Sequence, residues 1–144
     1  MTDEWMPKDT STHQDRVIAH VIGATVLGYF ILDETLHLLL DMGFIGTIYV
    51  DGEMGLLSQS LLIEELDLDW ESRQQLLADV DLLQEQGRGA KGLTRIMPAA
   101  ADYSIKEVNF FMNGDRRRLL LTGEEASLVI ATSLTSAEIN VYEL

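Results

Sequence analysis

Asn113-Gly114 stands between IKEVNFFM and RRRLLLT, and no other feature narrows the fold as much. Both central residues of a two-residue hairpin turn need positive φ, which Asn and Gly reach at the lowest cost, so the pair sets two strands antiparallel and adjacent. The same punctuation recurs upstream, where LHLLL (36–40) is followed by Asp41-Met42-Gly43 and FIGTIYV (44–50) by Asp51-Gly52. Short apolar runs joined by tight turns make a meander, and SLVIATS and INVYEL near the end read as two more strands. Two stretches stay open between helix and strand. In 34–42, Asp33 can cap a helix and Gly43 can stop one, although the turn spacing favours strand; in 123–134, Thr122-x-x-Glu125 spells a capping box.

Residues 58–86 change character. Leu76, Leu77, Val80 and Leu83 recur at the spacing of one helix face, and no Gly intervenes before Gly87. Asp69 suits the N-cap, Glu71 the first turn, and Gly87 the left-handed stop. A shorter helix is expected over Gln59–Leu66. The fold expected is therefore α+β: a mainly antiparallel, barrel-like meander of hairpins, with a helical pair inserted at about residues 59–86 and packed on it.

VIAHVIGATVLGYFIL (17–32) has no formal charge, yet its sixteen residues fall short of the roughly 20 that a spanning helix needs. Its Val, Ile, Thr and aromatic content predicts a buried strand bent at Gly23 or Gly28. Before it, MTDEWMPKDTSTHQD is polar and acidic and lacks the charged and apolar regions of a secretory signal. Residues 1–15 are expected to form a flexible acidic arm pinned by Trp5, and residues 16–144 one globular domain. The expected location is cytoplasmic.

Twelve Asp and twelve Glu oppose seven Arg and three Lys, a net charge of -14. Such a chain repels phosphate backbones and anionic lipid, so neither nucleic acid nor membrane is an expected partner. An acidic, Lys-poor composition suits concentrated salt, where screening suppresses self-repulsion; an ordinary acidic soluble protein reads the same way. With no Cys, thiolate metal sites and Cys nucleophiles are excluded.

The charges are unevenly placed. Between Arg88 and Arg118 seven cations meet only Asp102, Glu107 and Asp115, a net of +4. GRGAKG (87–92) matches G-x-G-x-x-G but follows a helix and precedes a strand, the reverse of a dinucleotide fingerprint, so it reads as a helix stop and connector. Arg88, Lys91, Arg95, Arg116 and Arg118 could still hold a small anion, and His20 and His37, in apolar runs expected to share a sheet, could add an acid/base pair with Asp41 or Glu53. His13 falls in the arm. DLDWE (67–71) imitates a calcium loop without its Gly and terminal Glu. No metal, cofactor or catalytic constellation is expected.

Several strands are apolar on both faces, so a second subunit is expected to cover one of them, making a homodimer. The leading expectation is a non-enzymatic interaction or assembly module. The alternative is a small-molecule or anion-binding domain, or an enzyme, with a His/Arg-lined pocket built from His20, His37, Arg88, Lys91, Arg95, Arg116 and Arg118.

Overall fold

The computed structural model describes residues 5–32, 35–41, 44–50, 53–60, 68–136 and 138–143. In chain order the elements are β1 (Met6–Pro7), α1 (Thr12–Val21), β2 (Thr25–Leu32), β3 (Thr35–Leu40), β4 (Phe44–Val50), β5 (Met54–Ser60), α2 (Trp70–Gln86), β6 (Met97–Ser104), β7 (Glu107–Asn113), β8 (Arg116–Thr122), β9 (Ser127–Ser133) and β10 (Ile139–Glu143). A 3-10 turn, Gly87–Gly89, follows α2. The strands form two five-stranded sheets, β1-β7-β8-β9-β10 (sheet I) and β5-β4-β3-β2-β6 (sheet II), antiparallel throughout. The α+β, mostly antiparallel reading holds.

The barrel does not. The chain passes from β6 to β7 through Ile105, whose N–H donates to the Ala24 carbonyl and whose carbonyl accepts from Gly23 N–H, both at 2.8 Å. No strand pairing joins the two sheets among the described residues, so they stack face to face. Their shared core holds Val26, Leu36, Leu38, Leu40, Ile48 and Leu56 from sheet II and Val108, Phe110, Leu119, Leu121, Leu128 and Ile130 from sheet I.

The opposite face of sheet II is covered by α2. Leu76, Val80 and Leu83 pack there on Phe30, Leu39 and Ile45, each such side chain contributing about 1.5–3 kcal/mol by leaving water. A bulge between Val26 and Gly28 reverses the alternation of β2. Val26 thus reaches the inter-sheet core and Phe30 the helix side. Asp69 caps α2 by accepting from Ser72 N–H at 2.7 Å, and Gly87, at φ 72°, ends it. GRGAKG is accordingly a connector from helix to strand. The register Asn113↔Arg116 leaves Gly114-Asp115 as the two-residue turn of the β7–β8 hairpin, with Gly114 at φ 64°. The hairpin expected at Asn113-Gly114 is there, but Asn113 closes β7 and the turn lies one residue later.

Of the two open stretches, both contain strands: Thr35–Leu40 and Ser127–Ser133. Two expectations are corrected. Residues 17–32 are not one strand, because α1 runs to Val21. Ser11 Oγ accepts from Gln14 N–H at 3.1 Å to start that helix, Val17 and Val21 bury one face of it, and Gly23 at φ 91° turns the chain into β2. The shorter helix expected from Gln59 also fails at its start, since Gln59 and Ser60 finish β5, paired with Ile45 and Phe44. Its remaining residues, 61–66, lie outside the described ones, as do Met42-Gly43 and Asp51-Gly52. Within residues 1–15, Met6 and Pro7 pair with Met112 and Phe111, and Lys8 N–H donates to the Phe110 carbonyl at 2.8 Å.

Candidate functional site

The positive charges of the β8 hairpin separate by strand alternation. Arg117 points into the molecule and is only 8% exposed. There its Nε donates to Glu53 Oε1, its Nη2 reaches Glu53 Oε2 at 3.3 Å, and its Nη1 donates to the Gly114 and Arg116 carbonyls at 2.7 and 2.9 Å. Lys8 Nζ lies 3.5 Å from the same carboxylate. The hydrogen bond from Arg117 is the first cause holding the Glu53 carboxyl below the usual glutamate range. Since Glu53 stands between β4 and β5 and Arg117 on β8, this pair ties sheet II to sheet I.

Arg116 and Arg118 point the other way. Both guanidinium groups stack on the Trp5 ring, 4.9 and 4.1 Å from its centroid. Cation–π contacts of this kind contribute about 0.5–1 kcal/mol each at exposed sites. Trp5 therefore does pin the N-terminal segment, on the outer face of sheet I. The same face carries Phe111, Leu120, Val129 and Tyr142 by register and alternation. Tyr142 is 42% exposed. Among the described residues no helix packs on this face, in contrast to the α2-covered face of sheet II. A hollow of about 490 Å³ opens there, lined by Trp5, Arg116, Ser133, Asn140 and Tyr142 among others. Asp115 secures its rim by accepting from Ser133 Oγ at 2.9 Å and Thr135 Oγ1 at 2.7 Å.

The histidines do not share a sheet. His20 is exposed on α1, whereas His37 lies on the α2 side of sheet II, 5% exposed. His37 stacks on Phe30 with centroids 4.9 Å apart, and its Nδ1 is 3.1 Å from Thr47 Oγ1. Burial pushes its pKa below the ordinary value, the environment of a core histidine. Arg95 crosses to α2, donating from Nε to Gln75 Oε1 at 2.7 Å and from Nη2 to Ser72 Oγ at 2.9 Å. Lys91 is exposed in the connector, and of Arg88 only the backbone, in the 3-10 turn, is described. Arg116 and Arg118 come together at Trp5; Arg95 and His37 belong to the helix side of sheet II, and His20 to α1. The described residues contain no group of three or more acidic or histidine side chains suited to a metal, and none of their helices is long and apolar enough to cross a membrane.

Two polar arrangements carried little sequence signal. A cleft of about 410 Å³ lies between the N-terminal segment, α1 and the β4–β5 hairpin, lined by Lys8, His13, Gln14, Tyr49 and Glu53 among others. Asp79, 1% exposed on α2, accepts from the backbone N–H groups of Thr94 (2.9 and 3.0 Å), Arg95 (2.6 Å) and Ile96 (2.8 Å), fixing the approach to β6. Its signal was an acid inside the apolar stripe Leu76–Val80–Leu83. The chain matches no family model, no curated protein and no solved structure.

Proposed function

We propose that this chain is a non-enzymatic assembly module that works by associating with a second copy of itself through sheet I. The observation behind this reading is the contrast between the two outer sheet faces. One is covered by α2; the other carries half-buried Trp5, Phe111 and Leu120 and exposed Tyr142 around Arg116 and Arg118, with Val129 buried among them. Aromatic and arginine side chains together are the composition favoured at contact surfaces. Two chains of net charge -14 repel each other, and this repulsion falls as the Debye length shrinks from about 8 Å at 0.15 M salt to about 3 Å at 1 M. Self-association is therefore expected to strengthen with ionic strength. Light scattering over a concentration series at low and high salt tests this. A dimer fraction that grows with both supports it; a monomer under every condition contradicts it.

The cleft between α1 and the β4–β5 hairpin favours a second reading, a small-molecule or anion site. Lys8, which also lies 3.5 Å from the Glu53 carboxylate lining the cleft, would supply its positive charge, and His13 and Tyr49 would supply hydrogen-bonding groups. Lys91, Arg95, Arg116 and Arg118 do not line that cleft, and neither do His20 and His37. Calorimetric titration with inorganic phosphate tests it: saturable binding lost in Lys8→Ala supports the site, and no heat opposes it.

A further inference from the structure

The assembly reading leaves open which part of sheet I makes the contact, and the edges of the two sheets answer that question. An edge strand carries backbone N–H and C=O groups on one side that have no strand partner. Proteins shield such edges with short strands, Pro, bulges or covering side chains. Among the described residues, three of the four sheet edges have such a device. The outer side of β7 is lined by β1, two residues long and containing Pro7. On β5, the Gln14 side-chain amide acts as one residue of a missing strand: Oε1 accepts from Leu56 N–H at 2.9 Å and Nε2 donates to the Leu56 carbonyl at 2.7 Å. β6 contains Pro98 and is broken by a large bulge, stepping from Tyr103 to Pro98 while β2 advances only from Val26 to Gly28.

β10 is the least shielded of the four edges among the described residues: its one charged side chain is Glu143 at its end, which by alternation shares the inner face with Val141. Its five residues follow β9 in unbroken register, from Ile139↔Thr132 to Glu143↔Leu128, with no Pro, Lys or bulge. Its start is anchored by Thr132 Oγ1 donating to the Glu138 carbonyl at 2.7 Å. In sheet I its one neighbour is β9.

We propose that β10 is the strand through which two copies of this chain join, antiparallel about a two-fold axis at Val141, so that two five-stranded sheets become one continuous sheet. Self-complementarity argues for a second copy as the occupant. Pairing about Val141 sets Asn140 opposite the partner subunit's Tyr142 and Ile139 opposite the partner subunit's Glu143, so no like charges stand directly opposite within residues 139–143. Glu138, just before the strand, comes within one residue of the partner subunit's Glu143 and makes the contact salt-dependent. The two Glu143 positions stand four residues apart along the pair. At about 3.4 Å per residue that is about 14 Å, beyond the Debye length of about 8 Å at 0.15 M salt. Asn140 and Tyr142 also line the hollow on the outer face of sheet I, so pairing brings the two hollows side by side across the axis. A five-residue edge buries little surface, which makes the dimer reversible rather than permanent.

The test compares wild type with two double variants, Asn140→Glu/Tyr142→Glu and Asn140→Lys/Tyr142→Glu, by sedimentation equilibrium in about 1 M salt, where the difference in net charge is screened to about 3 Å. Both variants lose the same two side chains, which within one chain lie opposite Ala131 and Val129 and line the hollow with Trp5, Arg116 and Glu138. Loss of the tyrosine therefore affects them alike, and circular dichroism with urea denaturation checks that the differing charge at residue 140 leaves both equally folded. Across the proposed axis the first variant makes two Glu–Glu pairs and the second two Lys–Glu pairs. The Glu/Glu variant is expected to dimerise about tenfold or more weakly than the Lys/Glu variant. Equal constants for the two variants beside a dimeric wild type would overturn the β10 contact and leave the assembly reading standing. A wild type that stays monomeric to about 1 mM, where even a millimolar Kd is detected, would overturn both.

Discussion

Replacing Asp79 with Ala tests whether the α2 layer is held to sheet II by polar contacts as well as apolar ones. The carboxylate accepts three backbone N–H groups, from Thr94, Arg95 and Ile96. If each charge-assisted bond counted in full, at about 1.5–3 kcal/mol, the loss would exceed 4 kcal/mol. Thr94 and Arg95 are exposed, however, and water can take over their N–H groups, which lowers their share to about 1 kcal/mol each. Ile96 is buried, and its stranded N–H costs about 2 kcal/mol. Ala returns roughly 0.6 kcal/mol through its better helix propensity. The net destabilisation is about 3 kcal/mol, a large share of the 5–15 kcal/mol typical of a whole domain. Asp79→Asn keeps one acceptor oxygen but turns an NH₂ group toward an N–H donor, and should lose about half as much. In urea denaturation, with a slope of about 2 kcal/mol/M, Asp79→Ala should lower the midpoint by about 1.5 M without changing the slope. A midpoint shift under about 0.3 M, or Asp79→Asn falling below Asp79→Ala, would refute the reasoning.

Gln14→Ala removes both side-chain bonds to Leu56 and uncovers β5. A loss of about 1–2 kcal/mol is expected, lowering Tm by roughly 3–6 °C with more aggregation on heating, and an unchanged melting curve would count against the edge role. Gly28→Ala would put a Cβ 2.7 Å from the Met97 carbonyl oxygen and 2.8 Å from Ile96 Cγ2, costing about 1–3 kcal/mol. Gly46→Ala, whose nearest neighbour is 3.7 Å away, serves as the mild control, and equal denaturation midpoints would contradict the packing. Burial holds the folded pKa of His37 below its unfolded value near 6.5, so the folded protein binds fewer protons. Stability is complete above that value and declines as pH falls through it toward the depressed folded pKa. His37→Asn should flatten that part of the stability–pH curve, and a slope that survives the substitution would place its source elsewhere.

Local signals were readable wherever one short segment decides the outcome. Asn113-Gly114 marked its hairpin to within one residue, and Asp69 and Gly87 bounded α2, because caps and tight turns are determined by a few adjacent residues. α1 was lost inside the uncharged run 17–32. Its β-branched residues, Val17, Ile18 and Val21, suit a strand as well as a helix, and the capping signal Ser11-x-x-Gln14 stood in a segment that looked like an arm. The separation of Arg117 from Arg116 and Arg118 follows from strand alternation, but which side was core depended on sheet stacking. Glu53 and Arg117 are 64 residues apart, and nothing local links them. His20 and His37 both sit in apolar runs, yet a helix carries one and a sheet face the other, so proximity in hydropathy did not become proximity in space.

Hydrogen–deuterium exchange followed across protein concentration, in high salt, tests the central claim most directly. If two copies join through β10, amide protection over residues 139–143 should rise with concentration, while residues 54–60 of β5, whose edge Gln14 already covers, should not change. Exchange in β10 that is indifferent to concentration, or that changes only as much as in β5, would contradict the account.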